Sequence, residues 1–302
     1  MADKRTELLA KLTAPMRVDP GTKVTLPGDH DPSAKAAFVK KGDADEHLRA
    51  GVELLSEYQE RLAAQDTYSL LVVLQAMDAA GKDGTIRHVM SGVNPQGVVV
   101  HSFKAPSAEE RDHDFLWRCA KRLPARGQIG IFNRSHYEEV LVVRVHPELL
   151  EAQQLQPEAR DGDVWKRRYR QINDWERHLV ENGTRIVKLF LNVSKEEQRG
   201  RFLDRIEEPE KHWKFSAGDV RERAFWDSYQ HAFSEMLTHT STEWAPWHVI
   251  PADRKWFARI AVGGVLVQAL ADIDPQYPTV DGEGLHELMQ AKAELEAEAA
   301  AG

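Results

Sequence analysis

The 302-residue chain has a single cysteine, Cys119, so neither an intrachain disulfide framework nor a cysteine-built zinc or iron–sulfur centre is available to it. Its 13 histidines include no H-E-x-x-H run and no other ligand spacing, which argues against a zinc enzyme. Positive charge is also short. Forty Lys and Arg face 48 Asp and Glu, a net charge of −8, which speaks against a uniformly basic nucleic-acid binder while leaving room for a local basic cleft. The longest apolar run, around Ile260 to Leu270, is short and interrupted by glycine, and the first fifteen residues are too charged for a signal peptide. These absences together predict a protein of the reducing cytoplasm, with no membrane and no nucleic acid among its partners. What is present is enough for a sizeable core: 42% of residues are hydrophobic and 29% charged.

Residues 1–44 carry Pro15, Pro20, Pro27 and Pro32 without a sustained period and are expected to form an irregular arm. From Asp45, the spacing of Leu48, Val52, Leu55 and Leu62 predicts an amphipathic helix. Five short apolar runs follow: Ser69–Gln75, Val98–Val100, Ile129–Phe132, Ile186–Leu191 and His248–Ile250. Helical patterns separate them, one with Trp165, Tyr169, Ile172, Trp175 and Leu179 on one face. Strands alternating with helices predict an α/β fold around a parallel sheet covered on both faces. The main domain is expected over 45–275. Residues 276–302 form an acidic helical tail, with a net charge of −5 from Asp281 onward.

Directly after the first strand comes Ala76-Met77-Asp78-Ala79-Ala80-Gly81-Lys82-Asp83-Gly84-Thr85, with Ile86, Val89 and Met90 continuing at helical spacing. Strand, small-residue loop with Gly-Lys, then helix is the context of a phosphate-binding loop: amides at the helix start point at the anion and Lys82 adds a mobile cation. The loop departs from the usual pattern, with Ala76 for the first glycine and Asp83 for the magnesium-holding Ser or Thr. A carboxylate at Asp78, inside an anion site, implies a nearby metal ion or an abstractable proton. At the end of the third strand, Asn133 stands where a neighbouring strand supplies a second metal-facing group. Arg134 beside it offers a planar fork for phosphate oxygens.

The loop from Met77 to Ile86 and the segment Asn133-Arg134-Ser135-His136-Tyr137-Glu138 resemble the paired motifs of the type 2 polyphosphate kinases. A third stretch is similar as well, from Arg201-Phe202 and Arg205 through Pro209-Glu210-Lys211-His212-Trp213-Lys214-Phe215-Ser216 to Asp219, Trp226 and Tyr229. So are Ala245-Pro246-Trp247, Ala252-Asp253, Lys255 and Arg259. The resemblance covers about Asp45 to Leu270. It implies a thymidylate-kinase-like P-loop fold, three layers around about five parallel strands, with a helical lid around 200–225. It also implies magnesium-dependent, reversible transfer of a terminal phosphoryl group from inorganic polyphosphate to AMP and ADP, giving ADP and ATP. The Asn-Arg-Ser-x-Tyr-Glu form is similar to the class III subgroup, which accepts both nucleotides. A homodimer or homotetramer is expected by the same resemblance. Competing readings are an ADP- or GDP-only enzyme, an ATP-dependent nucleotide kinase, and a polyanion-binding module without turnover.

On this reading the amides of Ala80 to Thr85, with Ala79, Gly81, Asp83 and Gly84 and the Lys82 ammonium, hold the acceptor phosphate. Asp78 and Asn133 orient magnesium, or Asp78 orients or deprotonates the acceptor oxygen. Glu138 either helps AMP to be accepted or is a helix-start acid favoured by the dipole. Arg134 and Arg87 are phosphate partners. Polyphosphate needs a cationic groove, for which two stretches qualify: 165–188, with seven cations against three acids, and 195–223, with eight of each. In the second, Arg201, Arg205, Lys211, Lys214, Arg221 and Arg223 are the lid candidates, and Arg205 is the one expected to reach transition-state charge. Arg167 and Arg177 read as solvated helix-face residues. Trp213, Trp226, Trp244 and Trp247 are expected in the core.

Overall fold

The computed structural model describes residues 2–301, with side chains described for 7–298. The longer helices, in chain order, are α1 (Ala2–Thr13), α2 (Ala44–Gln65), α3 (Lys82–Val89), α4 (Val164–Glu181), α5 (Lys195–Glu207), α6 (Trp226–Thr240), α7 (Lys255–Ile273) and α8 (Gly282–Ala301). The strands are β1 (Ser69–Ala76), β2 (Val98–Ser102), β3 (Ile129–Asn133), β4 (Thr184–Asn192) and β5 (Trp247–Pro251). All five expected strands form, one parallel sheet in the order β2-β3-β1-β4-β5. β1 lies at the centre and is buried from Ser69 through Gln75, as its unbroken apolar run requires of a strand covered on both faces.

The order places β1 between β3 and β4, the point where the chain switches from one side of the sheet to the other. A crevice opens there beyond the carboxyl ends of the strands, the usual ligand position in such sheets. Leu74 pairs with Asn133 across β1 and β3, so the loop after β1 and the segment after β3 leave the sheet side by side. Arg134 N–H donates to Leu74 O at 3.1 Å and continues that registration one residue past the strand.

Residues 1–44 differ from the irregular arm expected of them. Ala2–Thr13 is helical, because all four prolines fall after it, and Leu9 and Leu12 pack on α7. Gly264 makes that approach possible, since a Cβ there would meet the Leu12 side chain at 2.8 Å. Beyond α1 the arm covers the outer edge of β5: Val18 N–H donates to Trp247 O at 2.9 Å, and Val18, Val24, Leu26 and Val39 are buried. The apolar run around Ile260 to Leu270 belongs to a 19-residue helix, α7, long and apolar enough by composition to cross a membrane. Here it is the core helix, packed against α1, α2, α3 and β4.

A two-lobed candidate phosphoryl-transfer site

The loop from Met77 to Gly81 bends through two left-handed residues, Ala79 (φ 60°) and Gly81 (φ 106°). Such a run turns successive N–H groups toward one side, the geometry of an anion-binding nest, and delivers the chain into α3. Holding a non-glycine residue such as Ala79 there is costly, and a restraint comes from behind: Arg201 Nη1 donates to Ala79 O at 3.1 Å and Ala80 O at 2.6 Å. Its Nη2 donates to Ala252 O at 2.6 Å, and Nε pairs with Glu197 at 2.7 Å. Arg201 is only 6% exposed, so its guanidinium is committed to the loop's backbone and not spread on a lid face as its sequence position suggested.

Lys82 is half-buried and folds its ammonium back onto Ala76 O (3.0 Å) and Met77 O (3.3 Å). Burial, and then the Arg134 charge, lower its pKa from the usual lysine value, while Asp78 and Glu138 pull the other way. An arriving phosphate would remove that penalty. Arg134 takes a left-handed conformation (φ 61°) and bridges Asp78 (2.5 Å) and Glu138 (3.2 Å). Asn133 Nδ2 donates to Asp83 Oδ1 at 2.7 Å, which ties β3 to the start of α3. The core of the expected site is thus assembled: Asp78, Lys82, Asn133, Arg134 and Glu138 converge at the switch point.

Two cavities meet there. One is an open cleft of about 670 Å³ that runs along the whole loop. Nine Lys and Arg side chains line it against four Asp, although the protein as a whole is negative. Lys82, Arg205, Lys211 and Lys214 are among the nine, while Lys104, Lys255 and Arg259 join from β2's end and the start of α7. The other is a crevice of about 30 Å³ behind Asp78, lined by Glu138, Glu222, Arg223 and the apolar Leu141, Val142, Tyr229 and Phe233. Asp78, Arg134 and the lid residue Asp219 line both. A nucleotide needs several hundred Å³, far more than the crevice offers as it stands.

The lid carries Arg205, which faces Asp219 at 3.6 Å, and Lys211, paired with Glu208 at 2.5 Å. Arg223 donates to Gln198 Oε1 at 2.5 Å, and Gln198 Nε2 donates to Asp78 O at 2.8 Å, so the lid is linked to the loop through one buried amide. Arg87 and Arg221 are exposed and line neither cavity. Trp213 departs from the core position expected of it: it is 79% exposed on the cleft rim, with Lys214 Nζ 4.9 Å from its ring. Trp226 and Trp247 are buried and Trp244 is half-buried.

None of the seven cations in the 165–188 stretch lines the cleft or the crevice. Arg168 is buried against Glu139 (2.8 Å) and Lys188 against Glu176 (2.6 Å), while half-buried Arg167 pairs with Asp161 and exposed Arg177 with Glu181. Sequence reasoning left Gln198, Asp219 and Glu222 out of the site, and Lys104, Lys255 and Arg259 out of the groove. The last two had a legible signal, since a spacing of four at the start of a helix after a strand end puts both on one face toward the ligand crevice.

Among the described residues no group of three or more His, Cys, Asp and Glu could hold a metal by itself. Magnesium does not need one, because it takes one or two carboxylates with phosphate oxygens and water completing the shell. The donor set fits that demand: Asp78 and Asn133 both line the cleft beside the loop, one offering a carboxylate and the other a carbonyl oxygen.

An open cationic cleft on a P-loop, at the switch point of a five-stranded parallel sheet, defines a phosphoryl-transfer enzyme of the P-loop kinase fold. The profile of the Polyphosphate kinase 2 (PPK2) family matches residues 39–278, and the chain belongs to that family. It is 49% identical over 284 residues to an ADP-polyphosphate phosphotransferase of Rhodopseudomonas palustris, covering 94% of this chain and 98% of that one. It is 47% identical over 249 residues to an AMP/ADP-polyphosphate phosphotransferase of Meiothermus ruber, covering 82% and 89%. The crystal structure of polyphosphate kinase 2 from Arthrobacter aurescens TC1 superposes with a TM-score of 0.82 at 44% identity, over 91% of this chain and 95% of that one.

Proposed function

We propose that this chain transfers the terminal phosphoryl group of inorganic polyphosphate to AMP and to ADP, reversibly and with magnesium. The observation that carries the reading is the pair of unlike cavities joined at Asp78 and Arg134: an open cationic cleft suited to a polyanion, and a narrow acid-lined crevice over an apolar floor that would have to widen to take a nucleoside. Polyphosphate would lie along the cleft with its end on the loop amides and Lys82. The acceptor phosphate would approach from the Arg134 side. This reverses the sequence expectation that the loop amides hold the acceptor, because the loop opens into the cationic lobe.

An acceptor phosphate oxygen attacks the terminal phosphorus in line. The bond from that phosphorus to the bridging oxygen breaks, and the shortened chain leaves with the electron pair. Such a transfer needs positioning and charge neutralisation more than covalent chemistry. Lys82 and Arg205 would face the transferring group, and Arg134 would exchange its Asp78 and Glu138 partners for acceptor phosphate oxygens. Asp78 and the Asn133 carbonyl would hold magnesium, which when bound neutralises charge between the two phosphates. Lid residues Lys211 and Lys214 would hold the following phosphates, and Glu138 would touch the acceptor and favour AMP. The same reading takes 45–275 as the catalytic domain, the cytoplasm as its setting and a homodimer or homotetramer as the assembly.

A coupled assay of ATP formation, with AMP or ADP, long-chain polyphosphate and magnesium, tests it against Lys82→Ala as the blank. ATP from both acceptors is expected. ATP from ADP alone would withdraw the AMP assignment and the role given to Glu138. Absence of ATP from either acceptor would overturn the reading.

A further inference from the structure

Behind the 134–138 segment lies a charged network from which water is shut out. Lys188, on β4, and Glu176, on α4, both have side chains 0% exposed and pair at 2.6 Å. Lys188 Nζ also donates to Tyr137 Oη at 2.9 Å and to Thr240 O at 2.6 Å, so all three of its N–H bonds are used. Tyr137 Oη donates to Glu176 Oε1 at 2.7 Å, and His136 Nε2 lies 3.3 Å from the same oxygen. On the opposite side of the segment, Ser135 Oγ accepts from Gln75 Nε2 at 3.0 Å and from Tyr137 N–H at 3.1 Å.

An ion pair taken wholly out of water gives little net stability compared with apolar side chains of the same size, but it tolerates only one geometry. Here the fixed point is Tyr137. Its chain neighbour Glu138 lines the enclosed crevice and holds Arg134 at 3.2 Å. Neither Lys188 nor Glu176 lines the cleft or the crevice. We propose that Glu176 and Lys188, acting through the Tyr137 hydroxyl, are positioning residues that set Glu138 and Arg134 for the acceptor nucleotide. The inference rests on the acceptor side assigned above.

Two variants test it, each read by steady-state kinetics with each substrate varied and by calorimetric titration with AMP. Tyr137→Phe keeps the ring, the ion pair and the His136–Glu176 contact and removes only the hydroxyl that Lys188 and Glu176 both bond. Glu176→Gln with Lys188→Met removes both charges at similar volume and guards against misfolding from one unpaired charge. For both, kcat/KM for the nucleotide is expected to fall by up to about a hundredfold with weaker AMP binding, the scale of a small misplacement at a reacting centre. The KM for polyphosphate should stay unchanged. A lower Tm with unaltered nucleotide constants in the folded fraction would make the network merely structural and overturn the inference. Glu138→Gln separates the two layers: if it leaves nucleotide kinetics untouched, the acceptor assignment itself fails. If it alters them while Tyr137→Phe and the double variant do not, only the positioning role fails.

Discussion

The cleft and the crevice share Asp78, Arg134 and Asp219, yet they are opposite in character. The cleft is wide, open and cationic, with side chains drawn from β2, α3, α5, the lid and α7. The crevice is narrow, with four acids against two arginines over an apolar floor. A flexible polyanion can be held by many weak, screened contacts along a groove, and no single one must be accurately placed. A nucleoside has few atoms with which to be recognised, so its side of the site must be enclosed and fixed. On the reading proposed above, one junction serves two recognition problems, electrostatic on one side and geometric on the other.

The largest effect is expected where the lobes join. Asp78→Asn should lower turnover by more than roughly a thousandfold, with the circular dichroism spectrum and Tm close to those of the parent. A variant that keeps near-full activity would remove the junction from the mechanism. Arg205→Ala, on the cleft side of the lid, should lower kcat by about a hundredfold to a thousandfold while Tm moves little; an equal loss of both would make the Arg205–Asp219 contact structural. Lys214→Ala should act on one lobe alone, raising the polyphosphate KM about threefold to fivefold, less at high salt, and leaving the AMP and ADP constants in place. A matching rise in nucleotide KM would merge the two lobes into one.

The smallest effect serves as a control outside both lobes. His248, in β5, is pushed down to about 4 by burial and by the charges of Arg17 and Arg185. It is neutral in the fold but takes up a proton on unfolding below about pH 6.5, so stability is lost as pH falls from 6.5 toward 4. His136, held neutral by burial, acts in the same direction. Calorimetry between pH 7 and pH 5 should show a falling Tm, with a shallower slope in His248→Gln and unchanged turnover at pH 7. An unchanged slope would place the titration elsewhere.

Two buried cations account for much of what the sequence could not disclose about the site. Arg201 and Lys188 look, as letters in charged stretches, like Arg205 and Lys214, and all four fall in the two stretches that qualify in sequence for a cationic groove. Their fates differ because Arg201 meets the carbonyls of Ala79, Ala80 and Ala252, and Lys188 meets Glu176 and Tyr137. Partners 12 to 122 positions away decide whether a cation is spent inside or left for a ligand. Trp213 shows the converse: a large aromatic residue that reads as core in the sequence stands exposed on the cleft rim.

The sequence by itself determined the five strands, the phosphate loop, the Asn-Arg-Ser segment and their order, and hence the fold and family. Those features rest on local physics: side-chain period, small residues at a tight turn, and amides freed at a helix start. Only the tertiary structure decided that two cavities meet at Asp78 and Arg134 and which charges line each. Burial and ion pairing depend on groups brought together from distant segments, and a charge in a sequence carries no mark of the partner it will meet.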